Sequence, residues 1–424
     1  MNLITGTFLD LFATLSSAWK AFSNIWYIVI PLIFYYPFKI VWLEYRQMVF
    51  VKTIKFVNLE IIPPRDIEKS PKPMESIFVG TSGVLTAFNN FEVFAEGKVT
   101  NKFSFELVSI EGQVHFYLSV PESRRKLIEA HFYAQYPGVE ITEVPDYVND
   151  VPMLIPNKKW DLWGTDFELV KPDSYPIRTY KYFEEDITGT MLDPFSALVE
   201  SMGKIGPREQ LWLQYVIVPE PESDKFGKDE IEKLAGRAAK AKGILSRIWD
   251  DIMDVLGNIS KGFFSPVEFV AKEEKKQEQP LEFRLTPGEK EVLKALENNV
   301  GKNMFKTKMR LIYLGEKEVF DKGHVSSFTG GLKQFADLNL NSFKPNDISK
   351  TYANYNFFKA SRLLYRKRKI FRRYKDRDID GKKIFLSTEE LATVYHLPDM
   401  NVTSPFVPHI GSKRGGAPGN LPIG

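Results

Sequence analysis

KFSFELVSIEGQVHFYLSVPESRRKLIEAHFYAQYPGVEITEV, residues 102–144, carries the pattern that decides the fold. KFSFELVSI and QVHFYLSV read as two strands, and Glu111–Gly112 between them is a hairpin turn. Pro121 opens a helix, PESRRKLIEAHFYAQY, which Pro137–Gly138 ends, and VEITEV is a further strand. Upstream, VKTIKFVNLEI reads as a strand stopped by Pro63 and Pro64, with a helix from about Met74 to Phe88. The order is βαββαβ, the split βαβ arrangement of ferredoxin-like units.

A second unit repeats the order. Ile177–Phe183 is predicted as a strand, Asp193–Ile205 as a helix, and EQLWLQYVIV and KMRLIYLG as strands. Glu318–Phe335 is partly helical, and Leu338–Phe343 is a final strand. An insertion over about 220–306 interrupts this unit. In it, Lys228–Lys242 is a charged helix. Ile244, Ile248, Trp249, Ile252, Val255, Leu256 and Ile259 form an apolar stripe opposite Asp250, Asp251 and Asp254. AKEEKKQEQP (271–280) has a linker's composition, and Thr286 caps a helix opened by Pro287. The insertion reads either as a partner-contacting arm or as a segment packed on its own body.

The N-terminus has a different character. Eighteen uncharged residues separate Lys20 from Lys39, and IVWL follows before Glu44. A helix of about 20 residues crosses a ~30 Å hydrocarbon core, so residues 21–43 read as a transmembrane helix. Trp26, Tyr27, Tyr36 and Trp42 suit an aromatic belt, and Lys39 can snorkel to the headgroups. Pro31 and Pro37 favour a re-entrant or interfacial segment instead, and a buried core helix is the third reading. No basic region or small-residue cleavage site marks a signal peptide. Lys39, Arg46, Lys52 and Lys55 follow the segment and Lys20 precedes it, which places a single-pass anchor's body in the cytoplasm. Ile4, Phe8, Leu11, Phe12, Leu15, Trp19 and Phe22 make the preceding residues amphipathic.

The expected class is thus α+β, with a transmembrane helix and two ferredoxin-like units, the second bearing a helical insertion. The expected boundaries are 1–46 for the anchor, 47–150 and 151–350 for the two units, and 351–424 for a basic helix, a short capped helix and a tail.

Across 424 residues there is no cysteine, which removes disulfides, thiolate catalysis and cysteine zinc sites. The net charge of +3 does not by itself argue for nucleic acid. No Walker loop, GxSxG elbow, HExxH or EF-hand loop occurs. His115, His131, His324, His396 and His409 are scattered without metal-ligand spacing, and Glu184–Glu185–Asp186 reads as a solvated turn. No catalytic residue, cofactor or metal is expected.

One charge feature stands out. Tyr355–Tyr374 reads as a helix with Ala360, Leu363, Leu364, Ile370, Phe371 and Tyr374 on one face. Its second half carries Arg366, Lys367, Arg368, Lys369, Arg372, Arg373 and Lys375. These could meet nucleic-acid phosphates, anionic headgroups or an acidic partner, or simply face water. Ser387 and Glu390 then form a capping box for TEELATVYHL, stopped by Pro398.

Several blocks together resemble a known family: residues 104–144, WDLWGTDFELVKPDSYPIRTYKYF, EQLWLQYVIVPEP, LSTEELATVYHLP and the tail around APGNLP. They are similar to the membrane-proximal N-terminal half of bacterial type IV secretion or conjugation-like ATPases. In fused relatives the segment like GGAPGNLP leads into a P-loop ATPase domain, and here the chain ends at Gly424. The resemblance implies a protein that works beside a separate P-loop ATPase, or one whose ATPase has been lost; the first is the leading expectation, a non-enzymatic membrane component in an oligomeric assembly that docks the ATPase. The alternative is a membrane-tethered nucleic-acid-binding protein that uses residues 366–375.

Overall fold

In the computed structural model the Glu111–Gly112 hairpin forms, with both turn residues at positive φ, joining β2 (Phe103–Ile110) to β3 (Gln113–Pro121). The structure describes residues 2–64, 70–183, 193–220, 286–352 and 357–398, together with 227, 228, 231, 407 and 408. Residues 221–285 of the insertion (227, 228 and 231 excepted), the tail and Glu184–Asp186 lie outside the described residues, and with them the expected helix over 228–242 (Lys228 and Ile231 excepted), the stripe of 244–259 and His409.

The chain divides into two units. The first comprises Met1–Phe56 with Thr86–Asn101, and the second Val57–Leu85 with Lys102–Gly424.

The second unit is α+β. Around the hairpin stand β1 (Phe56–Ile62), α2 (Lys72–Ser82), α3 (Arg125–Gln135) and β4 (Glu140–Glu143). There follow β5 (Trp160–Leu169), α4 (Pro194–Gly203), β6 (Glu209–Pro219), α5 (Pro287–Val300), β7 (Met304–Glu316), α6 (Gly323–Leu332) and β8 (Phe343–Pro345). The chain then adds α7 (Lys359–Lys375), β9 (Ile384–Ser387) and α8 (Thr388–Val394). The strands form one large sheet in the order β4-β1-β3-β2-β6-β7-β5-β8, with β9 pairing β7 off that path. β2 runs antiparallel to β6, and β6 to β7, which joins the two strand sets directly.

Period-2 alternation divides the central strands between two faces. Phe105, Leu107, Leu211, Leu213, Met309 and Leu311 belong to the larger core. Residues of α2, α3, α4, α6 and α8 complete that core. On the other face a smaller core gathers Val108, Trp212, Ile312 and Leu162 with Ile370, Phe371 and Tyr374 of α7. The basic helix is thereby a layer of the fold. Gly164 makes its approach possible, because a Cβ there would lie 3.2 Å from Ile370 Cδ1 and 3.1 Å from the Leu311 carbonyl oxygen.

Several boundaries differ from expectation. Residues 177–183 are not a strand: Tyr180–Tyr182 is a 3-10 turn, and the strand is β5 upstream. Gly164 and Asp166 of β5 face α7 and not water, which hid its alternation. The final strand is only Phe343–Pro345, because Asp337 Oδ1 accepts from the Asn339 and Leu340 amides and turns the chain before it. The strand expected from Val51 begins at Phe56, since the preceding helix continues to Thr53. The helix expected to reach Phe88 stops at Ser82.

The first unit is built on α1 (Asn2–Thr53), which runs through both Pro31 and Pro37. The span expected over 21–43 lies inside it. Among the described residues no helix is long and apolar enough to cross a membrane. A π-helical turn at Glu92–Glu96 rests against α1. The Trp42 indole donates to the Phe94 carbonyl at 2.9 Å, and Lys39 Nζ stands 4.7 Å over the Phe94 ring. Gly97, at φ +73, lies so close that a Cβ would come within 2.4 Å of the Arg46 backbone.

Candidate partner-binding groove on the basic helix

The position of α7 is set by a row of polar residues buried across four strands. Glu106 of β2 is in register with Gln214 of β6, Gln214 with Arg310 of β7, and Arg310 with Asp166 of β5. All four are at most 3% exposed. Polar groups at such depth need partners. Gln214 Nε2 donates to Glu106 Oε1 at 2.9 Å, and Arg310 Nε donates to Asp166 Oδ1 at 2.8 Å.

This row reaches up to α7 and the residues behind it. Arg310 Nη1 donates to the Arg373 carbonyl and Nη2 to the Asp378 carbonyl, at 2.9 and 3.1 Å. Gln214 Nε2 also donates to the Tyr374 carbonyl, and the Tyr147 hydroxyl donates to Glu106 Oε2 while sharing a hydrogen bond with the Tyr374 hydroxyl. Arg377 grips Glu106 and Asp146. Burial opposes its charge, but the two carboxylates hold its pKa well above the usual range. Burial, reinforced by Glu106, raises both tyrosines well above theirs.

The basic run therefore divides in two. Arg366 donates to the carbonyls of Lys350 and Tyr352, Lys367 pairs with Asp161 at 2.5 Å, and Arg373 pairs with Asp378 at 3.3 Å. These three fasten the helix to its own body. Arg368, Lys369, Arg372 and Lys375 have no carboxylate partner among the described residues. Lys369 and Lys375 instead lie over the rings of Tyr365 and Phe371, at 5.6 and 5.7 Å. Arg372 and Lys375 also stand at the helix C-terminus, where the dipole favours cations.

A groove of about 620 Å³ runs beside this free face. Met153, Leu154 and Ile155 line one side, and Leu364, Tyr365 and Phe371 the other. The four cations rim it, and Asp376 is its only carboxylate among the described residues. Met153 is 82% exposed and Leu154 63%, and the Asn157 side chain fixes their loop by donating to the Leu154 carbonyl at 3.1 Å. Sequence reading found the cations but not the groove. Its second wall comes from a loop some 200 positions away, and no local pattern shows that proximity.

The expected membrane residues all fall on α1. Trp26, Tyr27, Pro31, Tyr36, Lys39 and Trp42 are exposed, although Lys39 and Trp42 also hold Phe94.

A second cavity, of about 610 Å³, includes Thr179, Lys181, Asn299, Lys302 and Glu389 in its lining. Burial lowers Lys302 to about 8. Glu389 already accepts from Thr179 and pairs with both lysines. Among the described residues no group of histidines and carboxylates could hold a metal ion. His115 pairs with Glu60, and His396 with Asp193 and the Ala392 carbonyl.

Fold and site together define an α+β protein with a 52-residue N-terminal helix and a basic helix fastened over an antiparallel sheet. Residues 57–408 match the family described as Domain of unknown function (DUF8128), and the chain belongs to that family. No curated protein matches the chain.

Proposed function

We propose that this protein is a non-enzymatic, membrane-attached platform that docks a separate P-loop ATPase at the cytoplasmic face, in an oligomeric translocation system of the type IV secretion or conjugation kind. The observation that carries the membrane attachment is the exposure around α1. Ile33, Phe34, Tyr35, Tyr36 and Phe38 are each at least 63% exposed. Successive helical residues turn by about 100°, so these five surround the axis. A protein groove would cover one stripe of such a helix, whereas acyl chains cover every side. Leaving that surface in water costs about 25 cal/mol per Å². The basic residues after the segment favour the cytoplasmic side.

The ATPase assignment rests on the resemblance of residues 104–144 and the later blocks. The body itself reads as two ferredoxin-like units sharing one sheet. The strand order supports this, since β4-β1-β3-β2 and, in mirror order, β6-β7-β5-β8 each repeat the ferredoxin-like arrangement.

The test has two arms. The full chain should co-float with phospholipid vesicles and remain with them in high salt and in alkaline carbonate, leaving only with detergent; release without detergent would refute membrane attachment. The detergent-solubilised chain should co-purify with a P-loop ATPase encoded beside it, and no association with any such ATPase would refute the docking role.

A further inference from the structure

We propose that the groove between residues 153–155 and α7 receives an acidic amphipathic helix of a partner protein. This deepens, and rests on, the reading of the protein as a docking platform.

Charge decides the sign of the occupant. Arg368, Lys369, Arg372 and Lys375 stand along one groove in which Asp376 is the only carboxylate among the described residues, while their neighbours Arg366, Lys367 and Arg373 are all engaged within the body. Four cations held together repel one another, and an anionic partner relieves that repulsion.

The walls decide its class. Met153, Leu154, Leu364 and Tyr365 are all exposed, and they form the apolar sides of a concave channel. Phosphates alone would leave these side chains in water. A flat bilayer would bridge the groove without filling it. A helix with apolar residues at i, i+3, i+4 and i+7 presents a ridge that fills such a channel, with carboxylates on both flanks to meet the rim. The length agrees as well: α7 has 17 residues, so it extends about 26 Å and can run beside some four to five turns of a partner.

The site is also prepared in advance. The rows of bonds from Glu106, Arg310 and Arg377 hold the last turns of α7, and Asn157 holds the facing loop. A rigid receptor loses little freedom on binding, which favours recognition of a short segment.

The experiment uses the full chain in detergent and three fluorescent probes. The first is a helical peptide of about sixteen residues with leucine at the i, i+3, i+4, i+7 positions and glutamate elsewhere. The second has the same leucines with lysine replacing glutamate. The third is a DNA duplex of similar length. Titrations followed by anisotropy should show the acidic peptide bound at least tenfold more tightly than the basic one, with affinity falling as salt rises. Arg368→Glu with Arg372→Glu should weaken it at least tenfold. Met153→Asp with Leu154→Asp should do the same, with the unfolding midpoint unchanged because both side chains are exposed.

Equal binding of the two peptides overturns the proposal, and so does acidic-peptide binding that survives either double variant. DNA bound through the four cations and indifferent to Met153→Asp with Leu154→Asp overturns it in favour of a nucleic-acid surface. Because this readout needs neither vesicles nor the ATPase, its failure is separable from failure of the platform reading, which flotation and co-purification report.

Discussion

Arg377 holds Glu106 from 271 positions away in the chain, through Nε–Oε1 at 2.9 Å and Nη2–Oε2 at 3.2 Å. Glu106 is fully buried and Arg377 is 9% exposed. The pair ties the segment after the basic helix to the middle of the sheet, so it fixes which cations of α7 face outward.

Removing one partner should therefore be costly. Arg377→Met leaves the Glu106 charge buried without its main counter-charge and should destabilise the body by about 3–5 kcal/mol. Adding Glu106→Leu should recover a large part of that loss, since the unpaired charge goes with it. Urea unfolding of the single and double variants reads both effects, and a double variant no better than the single one would show that the pair acts otherwise.

Gly164 admits α7 by having no side chain. Gly164→Val should cost about 1–3 kcal/mol through overpacking against Ile370 and the Leu311 backbone. Ile370→Ala in the same chain should restore part of it by vacating one of the three nearest obstacles, the others being the Leu311 carbonyl and Ile312 Cγ1. The readout is the shift in unfolding midpoint.

Glu390 gives stability a pH dependence of a definite sign. It is fully buried at the start of α8, where its carboxylate accepts from the Ser387 amide and hydroxyl and from the Ile177 amide. Burial outweighs these bonds and raises its pKa to about 7. An acid whose folded pKa lies above its unfolded value, near 4.5, favours the native state while protonated. That contribution is present below about pH 4.5 and is lost as pH rises to 7. Across that window it amounts to about 3 kcal/mol. Glu390→Gln should be less stable overall yet lack this slope, and chemical denaturation at pH 5 and 7.5 compares the two chains.

The turn against α1 supplies a fourth prediction. Gly97→Val meets the Arg46 backbone and adds strain at φ +73, so it should detach the Glu92–Glu96 turn from Trp42. Hydrogen exchange should then rise at residues 92–98 and leave β2 and β3 unchanged.

The absence of cysteine makes α1 easy to map. In vesicles, Phe34→Cys and Tyr35→Cys should resist a membrane-impermeant maleimide, while Ile348→Cys, at a site 82% exposed, should react within minutes. Equal labelling at all three positions would contradict insertion of α1 into lipid.

The elements of the first strand set were legible because their evidence is local. Alternation in residues 103–120, the Glu111–Gly112 turn and the proline at 121 each act within a few residues, as does the Ser387–Glu390 capping box that made α8 legible. β5 was not legible in that way, because Gly164 lies against Ile370 of α7 and Asp166 pairs with Lys308 and Arg310 of β7, and these partners are far away in the chain.

The groove follows the same division. Sequence by itself determined that the chain is α+β, that it lacks cysteine chemistry, that its N-terminus is apolar over some twenty residues, and that residues 366–375 form a cationic run. Only the tertiary structure decided which of those cations are free. A charge's availability depends on what lies opposite it, and here the opposing groups are Asp161, Asp378 and the carbonyls of residues 350 and 352. The loop at Met153–Ile155 reaches α7 for the same reason: burial of Trp212, Phe371 and Tyr374 in one core draws together segments that the chain keeps far apart.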